Sequence, residues 1–469
     1  MGLSAPPKAH VDKSDLRADF ATAMSAMYKA EVPLYADLIE IVQDINQDLI
    51  RSSHITSNLQ RLTAERHGAI RLGTAHELRT ISRIFKILDM HPVGYYDLSV
   101  AGLPMHATAF RPISTTSLEK APFRVFTTLL RPELLASERA RELSEALLSR
   151  RNLFSETLLQ MLDTADSQDG QLTEGQASVF ITEALRTFSW QPVAASTDTE
   201  YQVLRDEHPI LADIACFKTA HINHLTPRTL DISRAQQAML SSGMRAKERI
   251  EGPPSRTCPI LLRQTSFLAL EEQVSFPADA GSLVPSTHTA RFGEIEQRGA
   301  ALTPAGRDLY DALLAESAAK SAGLGPAEAD AVARNVFAAF PDTWESLRAQ
   351  GLIYCQYRAV KKPEKRPVVT GGHTTLLEQL VADNHVKAAP ITYEDFLPFS
   401  AAGIFRSNLS ASSSDENLSI QNREPDQAGL ERALGAHLLD VYEWYDGVQN
   451  ASLEAVCREL KLSISELTM

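Results

Sequence analysis

The chain has 469 residues, of which 44% are hydrophobic and 22% charged, and its formal net charge is −13. This length and composition suit a globular protein with a sizeable core, while the acidic balance excludes nucleic acid or an anionic membrane as the main partner, since either needs a basic face. The four cysteines form no Cys-x-x-Cys pair, no run of about 18 apolar residues could span a membrane, and Met1–Lys13 lacks a secretory core, so a cytoplasmic protein is expected.

In chain order, Ser14-Asp15 reads as a helix start, and the apolar residues from Leu16 to Ile50 recur at helical spacing, broken by Pro33. Residues 1–60 are therefore read as N-terminal helices. Residues 61–132 read as a βαβββ-like unit. A short strand begins near His67, Gly73-Thr74 caps a helix carrying Leu78, Ile81, Ile84 and Phe85, and Met90–Leu98 and Phe123–Leu130 are further strands. Residues 133–210 have the pattern of a helical insertion.

Residues 211–300 read as a second such unit. Ile214–Phe217 and His221–Thr226 are strand-like, and Ile232–Met239 is helical. Pro259–Phe267 reads as a buried strand whose Arg263, Gln264 and Ser266 could reach a cleft, and Thr287–Glu296 is expected to be one last strand. Residues 301–469 are read as a helical region with a site-closing segment at Tyr393–Phe405, where small residues would let backbone approach a ligand. The expected class is α+β, with repeated βαβββ units forming a curved sheet inside one integrated domain.

The two units share a motif. His67 precedes Arg71 by four residues, and His224 precedes Arg228 by four. With a carboxylate from Phe292–Gly299, the chain holds two histidines and an acid far apart in sequence, the parts list of a facial-triad iron site. Alternatives stand beside each of these. His221 rivals His224, but residues three apart on a strand face opposite sides, so only one can serve. Glu296 shares a strand face with Glu294, and His288 shares it too if the strand is regular. Arg71 lies on the His67 face and could hold a substrate carboxylate bidentately, or form an ordinary ion pair. Pro227 redirects Arg228, which is not expected to repeat the role of Arg71.

The segment Phe292-Gly293-Glu294-Ile295-Glu296-Gln297-Arg298 is similar to the last metal-binding strand of hydroxyphenylpyruvate dioxygenase, a member of the vicinal oxygen chelate superfamily. A closer resemblance is to the 2-oxoadipate dioxygenase/decarboxylase (2-hydroxyglutarate synthase) family. It is carried by Glu65–Arg71, His221–Ile232, Ala290–Gly299 and Tyr393–Phe405, and it runs from about Phe20 to Leu439. This resemblance implies that His67, His224 and Glu294 bind iron(II), Fe(2+), and that Arg71 and Phe399 contact the substrate, with Phe399 standing where the family has a smaller aliphatic residue. It also implies conversion of a small 2-oxo dicarboxylic acid, 2-oxoadipate, and O2 to 2-hydroxyglutarate and CO2, a step of lysine breakdown. Two other readings would be a Lewis-acid lyase or isomerase on the same fold, and a binding protein with a degenerate site.

Overall fold

The computed structural model describes residues 10–53, 59–278, 281–361, 375–397 and 424–468. Where one integrated domain is expected, the chain divides into two compact units. The first takes the chain to Lys247, then Gln264–Glu296 and a return that ends at Leu439. The second takes Glu248–Arg263, Gln297–Leu397 and the stretch from Asp440. His67, Arg71, His224 and Glu294 all lie in the first unit. Phe399 lies outside the described residues.

The first unit opens with helices α1 (Lys13–Glu31) and α2 (Pro33–Ser53). Pro33 separates them as expected, because a proline starts a helix readily but cannot donate within one. The cap of α1 is Asp12 rather than Ser14, its carboxylate accepting the Ser14 and Asp15 amides. Strand β1 (Arg66–Leu72) is followed by α3 (Ala75–Ile87), β2 (His91–Asp97), β3 (Met105–Arg111) and β4 (Phe123–Leu130). Thr74 and Glu77 close a capping box at the start of α3, which fixes where the chain leaves β1.

β1 pairs with β4 in parallel, whereas β2–β3 and β3–β4 are antiparallel. β5 (His224–Pro227) then adds antiparallel to the free side of β1, giving a five-stranded sheet in the order β2-β3-β4-β1-β5. Every residue of β1 and β4 is buried, as expected of strands covered on both faces.

The second βαβββ repeat is present but thinner. After β5 comes α4 (Ile232–Ser241), and then an antiparallel bridge from Ala246 to Phe267. Phe267 directly follows β6 (Leu262–Ser266), which pairs with β9 (Glu294–Arg298). Arg228 bridges in parallel to Glu296. The order Ala246 edge, β6, β9, β5 thus copies β2, β3, β4, β1, with a parallel closing pair in each. Between β6 and β9 the chain makes a hairpin, β7 (Glu271–Pro277) and β8 (Leu283–Thr289).

Two sequence expectations are corrected. Ile214 and Ala215 belong not to a strand but to a helix, α7 (Pro209–Ala215), which follows α5 (Glu174–Phe188) and α6 (Asp198–Glu207) in the helical insertion. Pro209 stands in its first turn, and the His208 side chain accepts the Ile210 amide, so local capping wins over an apolar run that strand and helix share. The expected strand Thr287–Glu296 is also two strands in different sheets, β8 and β9, divided at Ala290–Gly293. A Cβ at Gly293 would sit 2.2 Å from the Phe267 ring, so glycine permits the close passage there.

Candidate metal centre

The antiparallel register of β1 and β5 sets His67 opposite Thr226 and Ala69 opposite His224. Paired residues share a sheet face, so His67, Arg71, His224 and Thr226 all project to one side. Gly68 lets the strands close: a Cβ there would meet Ile222 Cδ1 at 2.4 Å and the His224 carbonyl oxygen at 3.2 Å. Opposite these strands, Glu294 opens β9. Tyr28 of α1 ties the segments before β5 and β9 together, its hydroxyl lying 2.9 Å from the Asn223 carbonyl and 2.8 Å from that of Phe292.

His67, His224 and Glu294 are all buried, and one potential ligand atom from each lies within 4.8 Å of the others. The two imidazole rings meet edge to face at 5.5 Å, and His224 stacks on Phe292 at 4.8 Å. His67 Nε2 is 2.9 Å from Glu294 Oε1, while its Nδ1 is 2.9 Å from Glu296 Oε2. Glu296 is thus placed behind His67 and not beside Glu294. A carboxylate on the rear nitrogen of a ligating imidazole fixes its ring and tautomer. Gln264 and Thr226 both donate to Glu294 Oε1, at 2.7 and 3.0 Å. Glu294 Oε2 is buried and accepts no hydrogen bond from any described residue.

That last atom tests whether a cation fits. A buried carboxylate oxygen without a donor is costly unless a cation answers it. The protonation states of His224 and Glu294 agree, while a cation at His67 has to displace a proton. Burial depresses His224 to about 3, so its imidazole is neutral and able to ligate. Burial opposes charge on Glu294, but the neighbouring histidines outweigh it and hold the carboxyl below its ordinary range. At His67 burial opposes protonation, yet the Glu296 and Glu294 carboxylates prevail and raise its pKa. The donor set, two imidazoles and one carboxylate, therefore fits a divalent metal ion.

The family model of 2-oxoadipate dioxygenase/decarboxylase matches residues 20–408. The chain belongs to the 2-oxoadipate dioxygenase/decarboxylase family. Relatives in this family include the 2-oxoadipate dioxygenase/decarboxylase of Pseudomonas putida, 46% identical across 97% of this chain and 99% of its own length. That of Escherichia coli K12 is 45% identical, covering 94% of this chain and 98% of its own. Among solved structures, the hydroxyglutarate synthase of Pseudomonas putida in complex with 2-oxoadipate superposes with a TM-score of 0.85 at 43% identity, covering 97% of this chain and 99% of that one. Membership in the 2-oxoadipate dioxygenase/decarboxylase family stands beside the paired βαβββ units of the fold.

The remaining sequence candidates separate cleanly. Arg71 is buried and its guanidinium pairs with Asp213 Oδ2. Arg228 turns to Glu65, with NH1 3.0 Å from Oε2, so it does not repeat the role of Arg71. Glu65 stays ionised despite burial because Arg228 and Arg124 hold its pKa down to about 2. Of the three polar residues expected on β6, Gln264 reaches the centre, whereas Arg263 donates to Gln297 at 3.0 Å in the second unit. His221 and His288 do not reach the centre, because both bind Asp213 Oδ1, at 3.1 and 2.9 Å. Asp213 itself escaped sequence reasoning, since its segment read as a strand and a lone aspartate carries no motif. Tyr28 and Thr226 were equally silent.

Proposed function

We propose that this chain converts 2-oxoadipate and O2 to 2-hydroxyglutarate and CO2, using iron(II) held by His67, His224 and Glu294. The observation that carries the reading is the convergence of those three buried side chains in a chain aligned almost end to end with 2-oxoadipate dioxygenase/decarboxylases. Iron is favoured because two imidazoles and one carboxylate would leave room for substrate and oxygen. When bound, the metal would supply chelation of the 2-oxo acid group and activation of oxygen.

The protein's own groups do the rest. Glu294 offers Oε2 while Gln264 and Thr226 restrain Oε1, so the carboxylate is presented in one orientation. Glu296 holds the far side of His67. Arg71, on the same face of β1 as His67, is assigned the distal carboxylate of the substrate, for which a guanidinium offers paired donors. Arg71 is buried away from water, which strengthens such an ion pair. Phe399 is assigned a contact to the aliphatic chain of the substrate, where its ring would shorten the pocket. The four cysteines are buried thiols outside any disulfide, which suits a cytoplasmic setting.

The test is anaerobic loading of metal-free protein with iron(II), followed by oxygen-electrode assay with 2-oxoglutarate, 2-oxoadipate and 2-oxopimelate. The expected result is oxygen uptake with 2-oxoadipate, matched by equimolar CO2 and 2-hydroxyglutarate. No uptake with any 2-oxo acid would contradict the reading, and a preference for 2-oxoglutarate would assign Phe399 a narrower pocket.

A further inference from the structure

A second buried cluster stands outside the metal centre. Asp213, on α7, is surrounded by four donors from three other parts of the first unit. Arg71 of β1 donates to Oδ2 and Asn223 lies 3.4 Å from the same oxygen, while His221 Nε2 and His288 Nε2 lie 3.1 and 2.9 Å from Oδ1. His288 is in turn 2.9 Å from the Tyr201 hydroxyl of α6, and Trp190 packs edge-on to His221 at 4.6 Å. None of Asp213, His221, Asn223, His288 or Arg71 is more than 3% exposed.

This composition resembles a metal site, and the three ligand-type groups are close enough for one. The charge pattern argues otherwise. Oδ2 already faces a guanidinium, which repels a second cation, and both carboxylate oxygens already have donors. What the cluster does supply is rigidity. An ionised carboxylate only accepts, so donors converging from different elements determine its orientation completely. A long arginine side chain loses considerable freedom when it binds an anion, and ordering it beforehand removes that cost from ligand binding.

Resting on the functional reading above, we propose that Asp213 is a positioning residue that presets the Arg71 guanidinium for the distal carboxylate of a 2-oxo dicarboxylic acid, with His221 and His288 locking Asp213 in place. The network thereby selects dicarboxylic over monocarboxylic 2-oxo acids. Asparagine at 213 would be a poor substitute, since its amide nitrogen must face either the two imidazole donors or the guanidinium.

The experiment is anaerobic calorimetric titration of the iron-loaded protein with 2-oxoadipate and with 2-oxohexanoate, which has the same chain length but no distal carboxylate. Wild type, Asp213→Asn, Asp213→Glu and His288→Asn are compared, with metal content and melting temperature measured for each. In Asp213→Asn the preference for 2-oxoadipate should fall by about tenfold or more, the scale of a charge-assisted buried contact, while 2-oxohexanoate binding changes little. Asp213→Glu should restore part of the preference, and His288→Asn, which keeps the Asp213–Arg71 pair, should lose less. Equal weakening for both acids, an unchanged preference, or a second metal equivalent that disappears in Asp213→Asn would overturn the proposal. A wild type with the dicarboxylate preference but no oxygen uptake would sink the functional reading and leave this one standing. A wild type with oxygen uptake but no preference would do the reverse.

Discussion

Among the described residues, the first unit has two buried clusters of two histidines and one carboxylate, and the donors around their carboxylates are arranged in opposite ways. Around Glu294, Gln264, Thr226 and His67 all reach one oxygen and the other is left without a donor among the described residues. Around Asp213, both oxygens have donors, and one of them faces an arginine. Residue types alone do not distinguish a metal site from a hydrogen-bonded lock. The distribution of donors around the carboxylate does, because a cation needs an oxygen whose lone pairs point nowhere else.

Removing one member from each cluster should separate them most clearly. Glu294→Ala should abolish metal retention and cut kcat/KM for 2-oxoadipate on the order of a thousandfold or more, as expected when several kcal/mol of metal assistance are lost. His288→Ala should keep its metal. Comparable metal loss in both variants, measured by elemental analysis, would erase the distinction.

Metal removal should give the next largest effect. An ion present at about a hundred times its Kd stabilises the folded state by about 2.7 kcal/mol, so chelation should lower the melting temperature of the wild type and of Asp213→Asn by similar amounts. His224→Ala should not respond to chelator. A smaller step is Glu296→Gln, which keeps shape but weakens the grip on His67 Nδ1. Metal affinity should drop about 10- to 100-fold, the usual cost of losing a carboxylate behind a ligating imidazole. An unchanged affinity, read by competition with a chromogenic chelator, would show that Glu296 serves only packing.

The smallest effect concerns pH. Burial lowers the pKa of His221, and Asp213 partly opposes that shift. The unfolded chain therefore takes up a proton at this residue first as pH falls below about 6.5, so stability contributed by neutral His221 is present above that pH and lost below it. Urea unfolding at pH 7.5 and 5.5 should show a larger loss for the wild type than for His221→Asn. Equal losses would mean that His221 is not held neutral.

Much of this centre was legible in the sequence because its features are local. The helical spacing of Leu78 to Phe85, the Thr74 cap and the His-x-x-x-Arg repeat all express short-range rules, and all recur in the structure. The resemblance carried by Phe292–Arg298 then distinguished Glu294 from Glu296, which share a strand face. What stayed hidden depends on long-range packing. Asp213 meets Arg71 across 142 positions of chain, Tyr28 meets Phe292 across 264, and neither pair follows any periodic pattern. The strand break at Ala290–Gly293 was equally invisible, because the Phe267 and Leu38 side chains that crowd Gly293 come from distant parts of the chain, and with that break His288 passed to the other cluster.

The most direct measurement is an anomalous difference map at the iron edge from crystals grown anaerobically with iron(II). One peak is expected among His67, His224 and Glu294 and none among Asp213, His221 and His288. A peak in the second cluster, or iron held without Glu294, would contradict that expectation.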